Sequence, residues 1–246
     1  MYNILSAAFS LMLTDNSMNL VKDIHSHADG EMFALINVSQ LKEFYNEIRN
    51  KSPQINIIAS SYENTDGFIE SINEQISDKK IDMVILEPQF DLSVSEKPNV
   101  QVYEKLIAKI KCSILLMARS YYKLKDIGVL ISGFYKTELS HLEMLGNLVG
   151  YLDAKLHLIY IVDNPALGKI QVIIQKLEEV ADKYHFKAYT VNVIHHQNRI
   201  DGISFMISKK GLDLIAVLNE NLINLNRKVL LEEILIASET ALYCHF

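Results

Sequence analysis

The chain has 246 residues, of which 49% are hydrophobic and 22% charged, with a net charge of −6; this composition supports one large α/β domain or two of ordinary size. Acids and bases are interspersed and the pI is about 5.8, so the basic stripe of a nucleic-acid-binding protein is missing. Two cysteines exclude a disulfide framework and point to a cytoplasmic protein.

The first apolar stretch, ILSAAFSLML (4–13), has signal-peptide length, but the first basic residue is Lys22. A secretory signal carries its positive charge ahead of the apolar run, so the stretch reads as a buried strand and the start of its loop. No run approaches the length of a membrane-spanning helix. Short apolar runs then alternate with helix-length amphipathic stretches. In the first half they are YNILSAA (2–8), MFALINV (32–38), INIIAS (55–60), DMVILE (82–87) and CSILLMA (112–118). In the second they are IGVLIS (127–132), KLHLIYIV (155–162), KAYTVNVI (187–194), DLIAVL (213–218) and ALYCHF (241–246). Continuous apolar runs, rather than strict alternation, predict parallel strands covered by helices on both faces.

The order repeats. ADGEMFALINV (28–38) matches LDAKLHLIYIV (152–162) at an offset of 124, and DGFIESI (66–72) matches DGISFMI (201–207) at 135. IDMVILE (81–87) matches LDLIAVL (212–218) at 131, and LIAKIKCSILLM (106–117) matches LIASETALYCHF (235–246) at 129. Four blocks in one order predict a duplicated domain. The predicted halves are 1–118 and 126–246, joined by a linker at 119–125 within RSYYKLKD.

The segment LKDIGVLISGFYKTELSHLEMLGNLVGYLDAKLHLIYIVD resembles the universal stress protein family: an opening strand, a long helix, then a second strand. GLDLIAVL is similar to the family's fourth strand, and LIAKIKCSILLMA to its closing helix and strand. The resemblance spans the chain as two tandem copies, clearer in the second half. It implies two Rossmann-like domains of the adenine nucleotide alpha hydrolase type. Each would be a five-stranded parallel sheet of order 3-2-1-4-5 flanked by helices.

In such a sheet the chain reverses between strands 1 and 4, and ligands bind where their C-terminal loops part. The expected crevice loops are SGFYKTE (132–138) and NENLINLNRK (219–228) in the second domain, and AFSLMLTD (8–15) and PQFDLSVSEKPNV (88–100) in the first. ATP-binding members of the family carry an acidic residue as strand 1 ends and a G-x-x-G-x9-G-[S/T] cradle after strand 4. Here the cradle glycines fall on Leu218, Asn221 and Leu231, and the hydroxyl position on Glu232. In the first domain the first two fall near Glu87 and Phe90. The acidic position is Ser132 or Gly133 in one domain and Ala7 or Ala8 in the other. No glycine occurs between Gly67 and Gly128 or after Gly211, and only glycine lets backbone N–H groups close around phosphate without a Cβ clash. The resemblance therefore implies a member without the ATP cradle and with no cofactor.

Ser132, Gly133, Asn219, Asn221, Arg227 and Lys228 remain the candidate crevice residues for a small anionic ligand. Arg227 and Lys228 would lie at the positive end of the last helix. The plainer expectation is a solvated first turn capped by Asn226 or Asn224.

The other chemistry-bearing residues do not assemble. His25 and His27 of HSHAD are two apart on an expected helix and share no face. Adjacent His195 and His196 diverge along a strand. No metal site follows. Cys112, which the repeat sets opposite Ala241, and Cys244 read as small buried thiols. Ser132 and His141 lack the G-x-S-x-G elbow of a serine nucleophile. Asp66–Gly67 and Asp201–Gly202 are expected to shape the turn from strand 3 into the next helix, with Gly at positive φ. Tyr121, Tyr122 and Phe246, with the closing strands 112–118 and 241–246, are expected to pack the two domains together, since a bare apolar edge aggregates.

No catalytic residue is assigned. The leading expectation is a non-enzymatic, cytoplasmic binding or regulatory module in stress response. The alternatives are a small-ligand or nucleotide-binding protein, including a slow ATPase, on the crevice residues, and a scaffold whose closing strands or helices recruit a protein partner or make a homodimer.

Overall fold

All ten apolar runs contain strands, and every pairing within each unit described below is parallel. The computed structural model describes residues 3–7, 19–20, 23–24, 30–38, 46, 48–50, 53–86, 100–117, 123–134, 142–163, 167–218, 226–238 and 240–245. The chain divides into two compact units, Met1–Tyr122 and Lys123–His245.

In the first unit, β1 (Ile4–Ala7), β2 (Met32–Asn37), β3 (Asn56–Ser60), β4 (Met83–Leu86) and β5 (Ser113–Leu116) lie in the order β3-β2-β1-β4-β5. In the second, β6 (Asp126–Leu130), β7 (Lys155–Val162), β8 (Tyr189–His195), β9 (Leu214–Leu218) and β10 (Ala241–His245) lie in the order β8-β7-β6-β9-β10. Each unit therefore has the order 3-2-1-4-5. Strands β1, β4, β5 and β9 are buried at every residue, as strands covered on both faces must be.

The described helices of the first unit are α1 (Thr65–Lys79) and α2 (Val100–Lys109). Those of the second are α3 (Leu142–Tyr151), α4 (Leu167–Lys183), α5 (Arg199–Lys210) and α6 (Arg227–Leu231). The last continues as a π-helical turn over Glu232–Ala237.

Asparagines start three of these helices. Asn64 Oδ1 accepts the Gly67 N–H at 2.9 Å, Asn198 Oδ1 that of Ile200 at 2.9 Å, and Asn226 Oδ1 that of Val229 at 3.3 Å. Each satisfies an N–H that the first turn leaves without an intrahelical partner. The two Asp-Gly pairs consequently do not form turns, contrary to the sequence expectation. Asp66–Gly67 and Asp201–Gly202 lie inside the first turns of α1 and α5, and neither glycine has positive φ. Gly202 is instead a point of close approach: a Cβ there would meet Ile161 Cδ1 at 3.0 Å and His196 Cβ at 3.2 Å.

A second correction concerns the closing strands. Met83 pairs with Ser113 and Leu214 with Ala241, so Ser113 is the counterpart of Ala241 and Cys112 that of Thr240. The repeat offset there is 128, not 129. Apolar residues on both faces let a sequence match slip by one, whereas backbone hydrogen bonds fix the register.

Candidate functional site

β6 and β9 are neighbours in the second unit, so the chain reverses between them and their C-terminal ends define the candidate crevice. Ser132 and Gly133 follow β6 after Ile131, Ser132 half-buried and Gly133 buried, and both are engaged in contacts. The strand geometry persists one residue beyond β6, since the Ile131 N–H donates to the Ile159 carbonyl at 2.9 Å. Phe134 then stacks on Tyr160 of β7, with ring centroids 5.8 Å apart and planes within 7°. Lys176 of α4 holds its Nζ 5.1 Å from the Phe134 ring, a cation–π contact.

Across the crevice, Leu218 ends β9, and Asn219 and Asn221 lie outside the described residues. Asn226 caps α6 and Arg227 is its first residue. The Lys228 ammonium is exposed, with Glu232 Oε1 3.9 Å away one turn on. Leu218 and Leu231, which stand at two cradle-glycine positions, are core residues at 0% and 1% exposure. Of the six candidates the structure thus describes Ser132, Gly133 and Lys228 and the backbone of Arg227. The first-unit crevice loops, apart from Val100, lie outside the described residues, as do His25, His27, Asp29, His141, Tyr121, Tyr122 and Phe246.

His195 Nε2 lies 3.0 Å from the Asp163 carbonyl oxygen, and His196 Nδ1 accepts the Asn198 N–H at 3.4 Å. Both thus serve local backbone. Among the described residues no His, Cys, Asp and Glu cluster is arranged to hold a metal ion. Burial pushes the Cys112 thiol up to about 12, which removes the thiolate that a nucleophile needs; Cys244 is fully buried. No described helix is long and apolar enough to cross a membrane.

Two polar constructions were not anticipated from the sequence. At the opposite, N-terminal edge of the second sheet, His157 is 3% exposed. Its Nε2 lies 2.9 Å from Asp126 Oδ1 and its Nδ1 2.8 Å from Thr190 Oγ1. Thr190 Oγ1 also accepts from Asn192 Nδ2 at 2.9 Å. Carboxylate, imidazole and hydroxyl stand in a line, as in hydrolytic triads, but the imidazole is buried and the hydroxyl is shared with Asn192. The line braces the starts of β6, β7 and β8. The second construction recurs in both units. Asp213 Oδ2 accepts the N–H groups of Lys125 and Asp126 at 2.8 and 3.0 Å, and Asp82 Oδ2 that of Asn3 at 2.8 Å. The matched aspartates of IDMVILE and LDLIAVL were the available signal for this latch.

No family model and no curated protein matches the sequence. Solved structures do match in fold. One classed among the universal stress proteins, from Pseudomonas aeruginosa UCBPP-PA14, superposes with a TM-score of 0.73 at 13% identity, over 99% of this chain and 92% of that one. A universal stress protein from Archaeoglobus fulgidus DSM 4304 gives 0.66 at 12% identity, over 99% and 95%. The cytoplasmic domain of a prokaryotic cation chloride cotransporter gives 0.61 at 12%, over 99% and 94%. The likeness is one of fold, and the fold is that of the universal stress proteins.

Proposed function

We propose that the chain is a non-enzymatic, cytoplasmic binding or regulatory module of the universal stress type, without that family's ATP cradle. One observation carries the reading: Leu218 and Leu231, at cradle-glycine positions, bury their side chains in the core. A position filled by a packed leucine does not offer open backbone to a phosphate. Glu232, at the hydroxyl position, adds a carboxylate where phosphate oxygens would lie. The same fold forms the cytoplasmic domain of a cotransporter, so it does not by itself imply nucleotide chemistry.

A second reading keeps a small anionic ligand at Ser132, Gly133, Asn219, Asn221, Arg227 and Lys228. It is favoured by the exposed Lys228 in the first turn of α6, whose ion pair with Glu232 is long, at 3.9 Å. Thermal melts separate the two, because a ligand that binds only the folded state must stabilise it. Under the first reading ATP, ADP and AMP leave the melting temperature unchanged, and mass spectrometry of molecules released from the purified protein finds no nucleotide near one per chain. A nucleotide-dependent rise overturns it. A rise with inorganic phosphate alone that Lys228→Gln abolishes supports the second.

A further inference from the structure

β8 is an edge strand of the second sheet, and among the described residues it lacks the usual protection. It runs for seven residues, Tyr189 to His195, with every side chain from Tyr189 to Ile194 half-exposed. It contains no proline, no lysine or carboxylate and no residue at positive φ, the devices that commonly blunt an edge. By comparison β3, an edge strand of the first sheet, has five residues.

Its free side can be read from its paired side. The Ala188 carbonyl accepts from the Leu156 N–H at 2.9 Å, and the His196 N–H donates to the Val162 carbonyl at 3.1 Å. Parallel pairing alternates, so even-numbered residues face β7 while Tyr189, Val191, Val193 and His195 turn N–H and C=O outward. None of these four outward backbones has a hydrogen-bond partner among the described residues.

We propose that β8 is an interface strand, pairing antiparallel with β8 of a second copy of the chain about a two-fold axis through Asn192. The strand is self-complementary in that register and in no other of equal length. Tyr189 then faces the partner's His195 and Val191 faces the partner's Val193, so every outward residue on both strands is used. Moving the axis to Val193 would leave Tyr189 without a strand partner, and moving it to Val191 would leave His195 without one. Cross-strand β-branched and aromatic pairs of this kind stabilise a sheet, and isologous pairing closes at two copies. The proposal does not depend on what the crevice binds.

Sedimentation velocity over a concentration series tests it, with a dimer expected at twice the 28.1 kDa chain mass. Val191→Pro removes an outward N–H without removing a bond to β7; it should sediment as a monomer with an unchanged circular dichroism spectrum. Asn192→Cys gives an independent readout. Residue 192 faces its own copy at a non-hydrogen-bonded position, where Cα atoms are about 4.5 Å apart, within disulfide reach. Mild oxidation should yield a reducible covalent dimer of this variant but not of the wild type. A wild type that stays monomeric, a folded Val191→Pro that still dimerises, or an Asn192→Cys that does not cross-link each overturns the proposal.

Discussion

The same row of side chains, read across each of the two sheets, has been filled in different ways. In the first unit the row is Asn56, Phe33, Leu5, Val84 and Ile114. In the second it is Thr190, His157, Gly128, Ile215 and Leu242. Phe33 stands where His157 stands, and Leu5 where Gly128 stands. The volume missing at Gly128 is occupied by neighbours: a Cβ there would meet Ile215 and Leu212 Cδ1 atoms at 2.8 Å and Ile159 Cδ1 at 3.0 Å. The helix contacts differ as well. Lys105 and Lys109 of α2 hold Asp66 of α1 at 2.5 and 2.8 Å, whereas Ser204 of α5 donates to Glu233 at 2.7 Å. What both units keep is the strand order and the aspartate latch. The topology tolerates an apolar or a polar brace, provided that volume is conserved and buried polar groups are paired.

Exchanging the two solutions should break each unit. Leu5→Ala leaves a cavity and should cost about 2–5 kcal/mol, and Gly128→Leu should cost about 1–3 kcal/mol by overpacking; urea melts of single variants measure both. Next comes His157→Phe, the first unit's residue. It leaves Asp126 and Thr190 without their imidazole and should lose about 1–2 kcal/mol. Adding Asp126→Asn and Thr190→Asn, the residues Asn3 and Asn56 supply in the first unit, should recover part of that loss. If the triple variant is less stable than the single one, the two rows are not equivalent.

A smaller gain is expected at Ser6, which is 1% exposed with no partner for its hydroxyl among the described residues; its counterpart is Val129. Ser6→Val should raise stability by about 1 kcal/mol, read as a shift in the denaturation midpoint at constant m-value. The smallest effect concerns Asp66. Its carboxyl is held down from 3.8 to about 2, chiefly by the Lys105 hydrogen bond and then by that of Lys109. A depressed folded value means that the contribution is present above about 3.8 and is lost as pH falls through about 2. The group is exposed, so the effect should be slight and should vanish in high salt. Asp66→Asn should flatten the stability profile across that acid window, and an unchanged profile would remove the ion pair from the comparison.

The strands were legible because parallel strands covered on both faces read as near-continuous apolar runs, as in LIAVL (214–218) and MVIL (83–86). That uniformity also hid the register, which is why the closing strands were matched one residue out. Asn64 and Asn198 were missed as caps because the eye rests on Asp66–Gly67 and Asp201–Gly202 beside them. The His157 brace joins residues 31 and 33 positions apart, a separation at which no local pattern speaks. In the crevice, Ser132 and Gly133 lie just past β6 and Lys228 in the first turn of α6. What they hold depends on chemistry that spacing does not encode.

The latch also constrains how the protein is made. Asp82 closes on Asn3 across 79 residues, and Asp213 on Lys125 across 88. A ribosome releases each unit's opening strand long before the strand that completes its second side. Until then β1 and β6 are held only by β2 and β7, with one row of backbone groups unpaired. Such distant closure is slow, so each unit's opening strand stays half-covered until the fourth strand pairs with it.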